Sequence, residues 1–342
     1  MTASRWTLLL LVFAGALFIL APVDLTSYGI PYPGLRRYGT YILTLWLVTA
    51  IGAMGVNLIL GYAGQESLAQ AAFLGIGAYL TALTTKAGLP FGIAFLLSGA
   101  ATFLIGIVLG FPALRVQKHY LAFVTIAFAV LVWLIFRNEQ WLTGGVMGIS
   151  DIKRPSLFGI SLRHHTSFYW FVLAVTAGLA FIFWWIIRSP WGRAFTALRE
   201  NPLRAESLGI DVRLYTLLAF AIGCAYGGFA GALYAPLVEF IDPSPFALGQ
   251  SFLYLLMVVL GGAGSFVGPF IGAAIAVLLP EWLRFAEGYY LLIYATAVML
   301  LMAFCPGGIV ELVERLFVLR NKAQGEEAAP AALTAVRQEA AL

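Results

Sequence analysis

Charge is the scarcest thing in this chain. Asp, Glu, Lys and Arg make up 11% of its 342 residues, while 61% are hydrophobic. Soluble globular proteins carry about 25% charged residues. The deficit argues against a water-soluble protein and predicts an all-α, polytopic membrane protein. Cysteine is almost missing: Cys224 and Cys305 both lie inside apolar runs, with no CxxC and no disulfide framework, and read as small buried hydrophobes. Histidine offers no metal site. His119, His164 and His165 lack a third ligand at suitable spacing, and HExxH does not occur. His164-His165 follows Arg163 in a loop entering a span, an interfacial position. The four lysines include no Gly-Lys pair, which excludes a Walker A loop and ATP hydrolysis by that route. Energy for any transport must come from a partner or an ion gradient. The net charge of +4 fits a cytoplasmic loop bias better than nucleic-acid binding.

What the chain does have is long uncharged runs, at 6–23, 38–65, 67–85, 87–114, 119–136, 164–187, 214–238, 243–280 and 288–310. Roughly 20 apolar residues cross the hydrocarbon core. Run 243–280 is too long for one crossing and is expected to fold back at Gly261–Ser265, "GGAGS". Eight single runs and one double predict about ten spans, broken or re-entrant segments included. Trp6–Ala21 behind Arg5 is expected to be a retained first span, because Pro22-Val23-Asp24 offers no small-x-small cleavage site. An even count puts both termini on one side. Arg5 and the basic tail (Arg315, Arg320, Lys322, Arg337) indicate the cytoplasm. This orientation leaves 12 basic residues inside and 8 outside; the 137–166 loop, with Arg137, Lys153, Arg154 and Arg163, lies outside against the bias. Trp141, Trp170, Trp184 and Trp185 fall near span ends, as an aromatic belt would. The membrane-embedded body is expected over 1–320. The tail 321–342 reads as mostly disordered, with a docked cytoplasmic helix as the alternative.

Against this background "RSPWGRAFTALRENPLRAESLGID", residues 188–211, stands out for its charge. Ser189-Pro190 and Asn201-Pro202 are two copies of one helix-start signal, an N-cap residue before proline. The first helix is expected to reach about Glu200, with Trp191, Phe195 and Leu198 on one face. The second covers about Pro202–Leu208 and ends at Gly209. The segment is either a solvated cytoplasmic connection or a surface read by a soluble partner. It resembles the coupling loop of ABC-importer permeases, whose motif places glycine four residues after its second alanine, as Ala205 and Gly209 stand here. Leu203 and Arg204 occupy the motif's glutamate and first alanine.

Glycine is concentrated in two places. "GYAGQESLAQAAFLGIGAYLTAL", 61–83, and "GGAGSFVGPFIGAAI", 261–275, each hold a glycine cluster followed by Ile-Gly-Ala (76–78 and 271–273). Glycine costs about 1 kcal/mol in a helix interior relative to alanine. It is tolerated where helices approach closely or break in the membrane. Gly61, Gly64, Gly261, Gly262 and Gly264 are the candidate helix breaks. The echo is either chance similarity or a pair of equivalent breaks flanking a path. Gln65, Glu66, Ser67 and Gln70 are candidate path residues; the alternatives place Glu66 in interfacial water and Ser67 on a backbone carbonyl.

The first stretch is similar to the signature of the branched-chain amino-acid permease family, with Ala69 for a glycine, Leu74 where phenylalanine is frequent and Glu66 at a usually apolar position. "GFPALRVQKHYLAFVTIAFA" (110–129), "LTGGVMGISDI" (142–152), the 188–211 segment and 261–275 resemble further family motifs, in family order, over roughly 40–305. The chain is identified as a member of that ABC-importer family, of the LivM-type subunit class. The resemblance implies a type II ABC importer fold and a heterodimer with a LivH-type sister permease in the bacterial inner membrane. It also implies two cytoplasmic ATPases holding the ATP and Mg, a periplasmic substrate-binding protein, and no cofactor on this chain. Trp191, Arg193, Phe195, Arg204, Ala205 and Gly209 would couple to the ATPase, the apolar ones filling a groove and the arginines meeting acids at its rim. Branched-chain amino acids are the family's default substrate; urea, amides, other amino acids and aromatic acids are imported by relatives. An ion-coupled secondary transporter is the alternative, though such proteins carry acids within several spans. An integral membrane enzyme would need a His/Asp/Glu constellation that the spans lack.

Overall fold

The computed structural model describes residues 37–113, 118–152, 154–157, 160–162, 164–282, 293, 296, 299 and 307–311. The expected first span, nearly all of run 288–310, both chain termini and the tail 321–342 lie outside the described residues. The helices are α1 (Arg37–Val56, prolonged by a π-helical stretch Asn57–Tyr62), α2 (Gln70–Lys86), α3 (Phe91–Ala113), α4 (Lys118–Asn138) and α5 (Gln140–Thr143), followed by α6 (His165–Arg188), α7 (Pro190–Glu200), α8 (Pro202–Ser207), α9 (Val212–Val238), α10 (Leu248–Gly261) and α11 (Gly268–Trp282). A small antiparallel hairpin, β1 (Ser156–Leu157) with β2 (Ile160–Ser161), precedes α6.

Among the described residues five helices are long and apolar enough to cross a membrane: α1 with its π-helical extension, α3, α4, α6 and α9. The protein is a multi-pass membrane protein. Run 243–280 does break at the predicted glycines, into two shorter apolar pieces among the described residues. The described pieces α10 and α11 have 14 and 15 residues, about 21–23 Å at 1.5 Å per residue, short of the roughly 30 Å core. Residues 243–247 and 262–267 go into turns instead.

Burial separates two kinds of helix. In α1 and α9, 83% and 72% of the most apolar window is buried, against 28% in each of α3, α4 and α6. The first pair forms the middle of the bundle; the others turn leucine, valine and phenylalanine outward, as lipid-facing helices do. α9 packs on α1, α2 and α3. Small residues make that packing close: a Cβ on Gly77 of α2 would run into the backbone of Gly228 in α9. Trp46 of α1 donates from Nε1 to the Phe270 carbonyl of α11 at 2.9 Å.

The bundle has two ends, separated by α6, whose 24 residues extend about 36 Å. At one end the strand-like bridge Ile149–Ile241 ties the 139–164 loop to the turn after α9. Here Arg154 Nε meets Glu239 Oε1 at 2.8 Å, its Nη2 lies 3.1 Å from His165 Nδ1, and its guanidinium sits 5.7 Å from the Phe168 ring centre. One of the four basic residues that ran against the charge bias is therefore neutralised inside the chain. Exposed Trp141 marks this end; exposed Trp184 and Trp185 mark the other, where Arg188 stacks on Trp184 at 4.5 Å.

Candidate functional site: a charged elbow against two helix breaks

The elbow at the second end folds as its start signals predict. Ser189 Oγ accepts from Trp191 N at 3.2 Å, and Asn201 Oδ1 accepts from Arg204 N at 3.1 Å. Each cap sits before its proline, so α7 and α8 begin where an orphan N–H is answered by a side chain. α8 ends in a Schellman arrangement. Gly209 N donates to Glu206 O at 2.9 Å and Ile210 N to Ala205 O at 3.1 Å, with Gly209 at φ +83 as the left-handed C′ residue.

The face of α7 differs from the expected one. Phe195 (0% exposed) and Leu198 are buried with Gly192 and Ala194, but Trp191 is 44% exposed. Phe195 meets the Tyr215 ring edge-on at 6.4 Å. Ala205 is also buried, at 2%. Phe195 and Ala205 therefore serve the elbow's own packing and present no surface to fill a partner's groove. What the elbow does present is Trp191, Arg193 and Arg204 together with Leu203 (78% exposed) and Leu208 (80%). The spacing of motif residues does not mark Leu208, and it marks Leu203 only as the residue at the motif's glutamate position.

Behind the elbow the two glycine clusters come together. α1 widens into its π-helical stretch at Asn57 and then unwinds over 63–69. Asn57 is fully buried. Its Nδ2 donates to Ser265 O at 2.8 Å, and its Oδ1 accepts from Gly264 N at 2.9 Å. A Cβ on Gly61 would collide with both Asn57 Oδ1 and Gly264 N. Gly64 and Gly264 have φ +64 and +84. Gly261 instead packs on Gly268 and Gly272 of α11, and Gly262, at φ +117, approaches Val310. Arg199 of α7 donates from Nη1 to the Gly61 carbonyl.

The four path candidates divide. Gln70 is buried and donates to Gly52 O at 2.9 Å, bridging α2 to α1. Gln65 is buried and donates to Thr216 O at 3.0 Å; its Oε1 has no partner among the described residues. Ser67 is buried, with the Ala69 N–H 3.5 Å from its Oγ. Glu66 alone is exposed. None of the four lines the cavity of about 590 Å³ that opens between α1, α9, α10 and α11. That cavity is walled by apolar side chains such as Leu45, Val48 and Val277, with Thr49, Tyr234, Gln250 and the carboxylate of Glu281 among its polar groups. Its lining comes from separate elements, so no local motif announces it.

Membrane-crossing helices around a glycine-packed centre, with two glycine-rich chain breaks braced by a capped, charged elbow, are the architecture of a multi-pass membrane protein. The family described as branched-chain amino acid transport system / permease component matches residues 39–305, and the chain belongs to it. It is 32% identical over 332 residues to the high-affinity branched-chain amino acid transport system permease protein LivM of Escherichia coli (strain K12), covering 90% of this chain and 78% of that one. The probable branched-chain amino acid transport permease protein LivM of Methanocaldococcus jannaschii is 23% identical, covering 88% and 92%. The autoinducer 2 import system permease protein LsrC of Salmonella paratyphi B is 26% identical, covering 61% and 62%. No solved structure matches the chain.

Proposed function

We propose that the chain is the LivM-type permease subunit of an ATP-driven importer of branched-chain or related amino acids, working beside a LivH-type sister permease. Its elbow, 188–213, would seat in a cytoplasmic ATPase; two such ATPases would hold the ATP and Mg, and a periplasmic binding protein would deliver substrate. The observation that carries this reading is the elbow's surface. Leu203 and Leu208, in and just after a helix of six residues, stand about four-fifths exposed, and Trp191, Arg193 and Arg204 of the same elbow are exposed as well. A helix this short is marginal in water by itself; the caps and the buried Phe195, Leu198 and Ala205 hold it rigid. Rigid, exposed apolar side chains with arginines on the same elbow suit a partner's apolar groove with an acidic edge. In this orientation both termini are cytoplasmic and the Arg154–Glu239 end faces the periplasm.

The cavity between α1, α9, α10 and α11 is the better candidate for this chain's share of the path. Its size falls in the range of about 300–1,000 Å³ typical of small-molecule sites, and its mostly apolar wall with few polar groups suits a small aliphatic solute. Substrate choice between branched-chain amino acids and other small solutes rests with the binding protein, and ligand binding to that protein decides it. The elbow is tested by Leu203→Asp with Leu208→Asp in the assembled importer. The doubly substituted chain is expected to insert normally and to lose copurification with the ATPase. Normal assembly and uptake would overturn the coupling role.

A further inference from the structure

We infer that Arg199 is the positioning residue through which the elbow holds both helix breaks, so that a displacement of α7 moves the two broken helices as one; this rests on the coupling role proposed above. Three elements converge on its side chain. Its Nη1 bonds the Gly61 carbonyl, at the end of the π-helical stretch, where C-terminal carbonyls have no further turn to bond and a cation complements the helix dipole. A Cβ on Gly64 would lie 3.0 Å from Arg199 Cγ and 3.2 Å from its Cα. A Cβ on Gly264 would lie 2.5 Å from Nη1. One glycine from each break is thus kept bare against the same arginine. Asn57 closes the arrangement from the other side by bonding Gly264 and Ser265. No carboxylate lies within ion-pair distance of Arg199 among the described residues, so its charge is directed at backbone. Elements packed this tightly shift between discrete arrangements rather than deform smoothly, and translations of only 1–2 Å suffice in known switches.

A residue that merely stabilised the fold would change assembly and leave coupling intact. The decisive quantity is therefore solute moved per ATP hydrolysed. It is measured in proteoliposomes holding the complete importer and its binding protein, with radiolabelled leucine as the probe. Arg199→Ala is expected to copurify with the ATPases and keep their hydrolysis while the ratio falls about tenfold, the factor corresponding to one charge-assisted hydrogen bond. Arg199→Lys, which keeps a cationic donor, is expected to recover part of the ratio. An unchanged ratio in Arg199→Ala overturns the inference while leaving the elbow's coupling role standing. Normal assembly of the Leu203/Leu208 double variant removes that role instead. Should Arg199→Ala not assemble, Arg199→Gln is read in its place, with the same expectation and the same overturning result.

Discussion

The two breaks share a glycine-rich sequence and differ in how their backbone is satisfied. The second closes the start of its following helix locally, with Asn57 of the first break bonding the turn itself. Ser265 Oγ accepts from Gly268 N and donates to Gly262 O, both at 2.9 Å, so the residue three places before α11 answers its first N–H. α11 then folds back on α10, with Gly272 against the Met257 carbonyl. The first break is closed from a distance. Leu68 N donates to Thr125 Oγ1 of α4 and Ala71 N to Ser251 Oγ of α10, each at 3.1 Å. α2 then leaves α1 and packs on α9 and α3. In lipid every freed N–H needs a partner. The second break answers the first N–H of its following helix from within its own turn and, among the described residues, takes its remaining side-chain ties from Asn57 alone; the first answers the start of its following helix from helices 57 and 180 residues away. The first break therefore forms only as the bundle forms, and what moves the bundle can reach it.

The sharpest way to break this comparison is at the point where the breaks touch. Gly61→Val places its side chain against Asn57 and Gly264 and is expected to destabilise the importer by about 3 kcal/mol or more, the upper end for overpacking. Thermal unfolding in detergent measures it. Next comes the borrowed partner. Ser251→Ala strands a buried Ala71 N–H and should cost about 1–3 kcal/mol. Hydrogen exchange should rise at 68–73, far in sequence from the substitution. Exchange confined to α10 would mean that the first break is self-supporting after all.

This difference also explains what could be read in advance. Ser189, Asn201 and Gly209 act through residues within four positions, so the elbow was legible residue by residue. The break at 261–265 was legible for the same reason. Asn57 was not, although an amide within the uncharged run 38–65 is a signal in itself, because a buried polar side chain at that depth demands a partner. Which partner it finds is settled by the approach of α11's turn, which no local pattern encodes. Trp191 and Phe195 share one helical stripe at four-residue spacing, yet only Phe195 meets Tyr215; burial was decided by where α9 lies. Gln65 and Gln70 stand in the sequence only as path candidates; their bonds to the Thr216 carbonyl of α9 and the Gly52 carbonyl of α1 depend on packing that no local pattern encodes.

A smaller effect sharpens the contrast from the locally closed side. Ser265→Ala removes the side-chain acceptor of the first α11 N–H and should cost about 1 kcal/mol, with exchange increasing only near 262–271 and the first break unaffected. Smaller still is Glu66→Gln. Glu66 is the only exposed residue between 61 and 70, so no buried backbone group depends on its charge. Its substitution is expected to shift stability by no more than about 0.5 kcal/mol, as for ordinary surface positions, and to leave leucine uptake unchanged. A marked fall in uptake at unchanged stability would place its carboxylate in the path, and would show that the first break contributes chemistry as well as geometry.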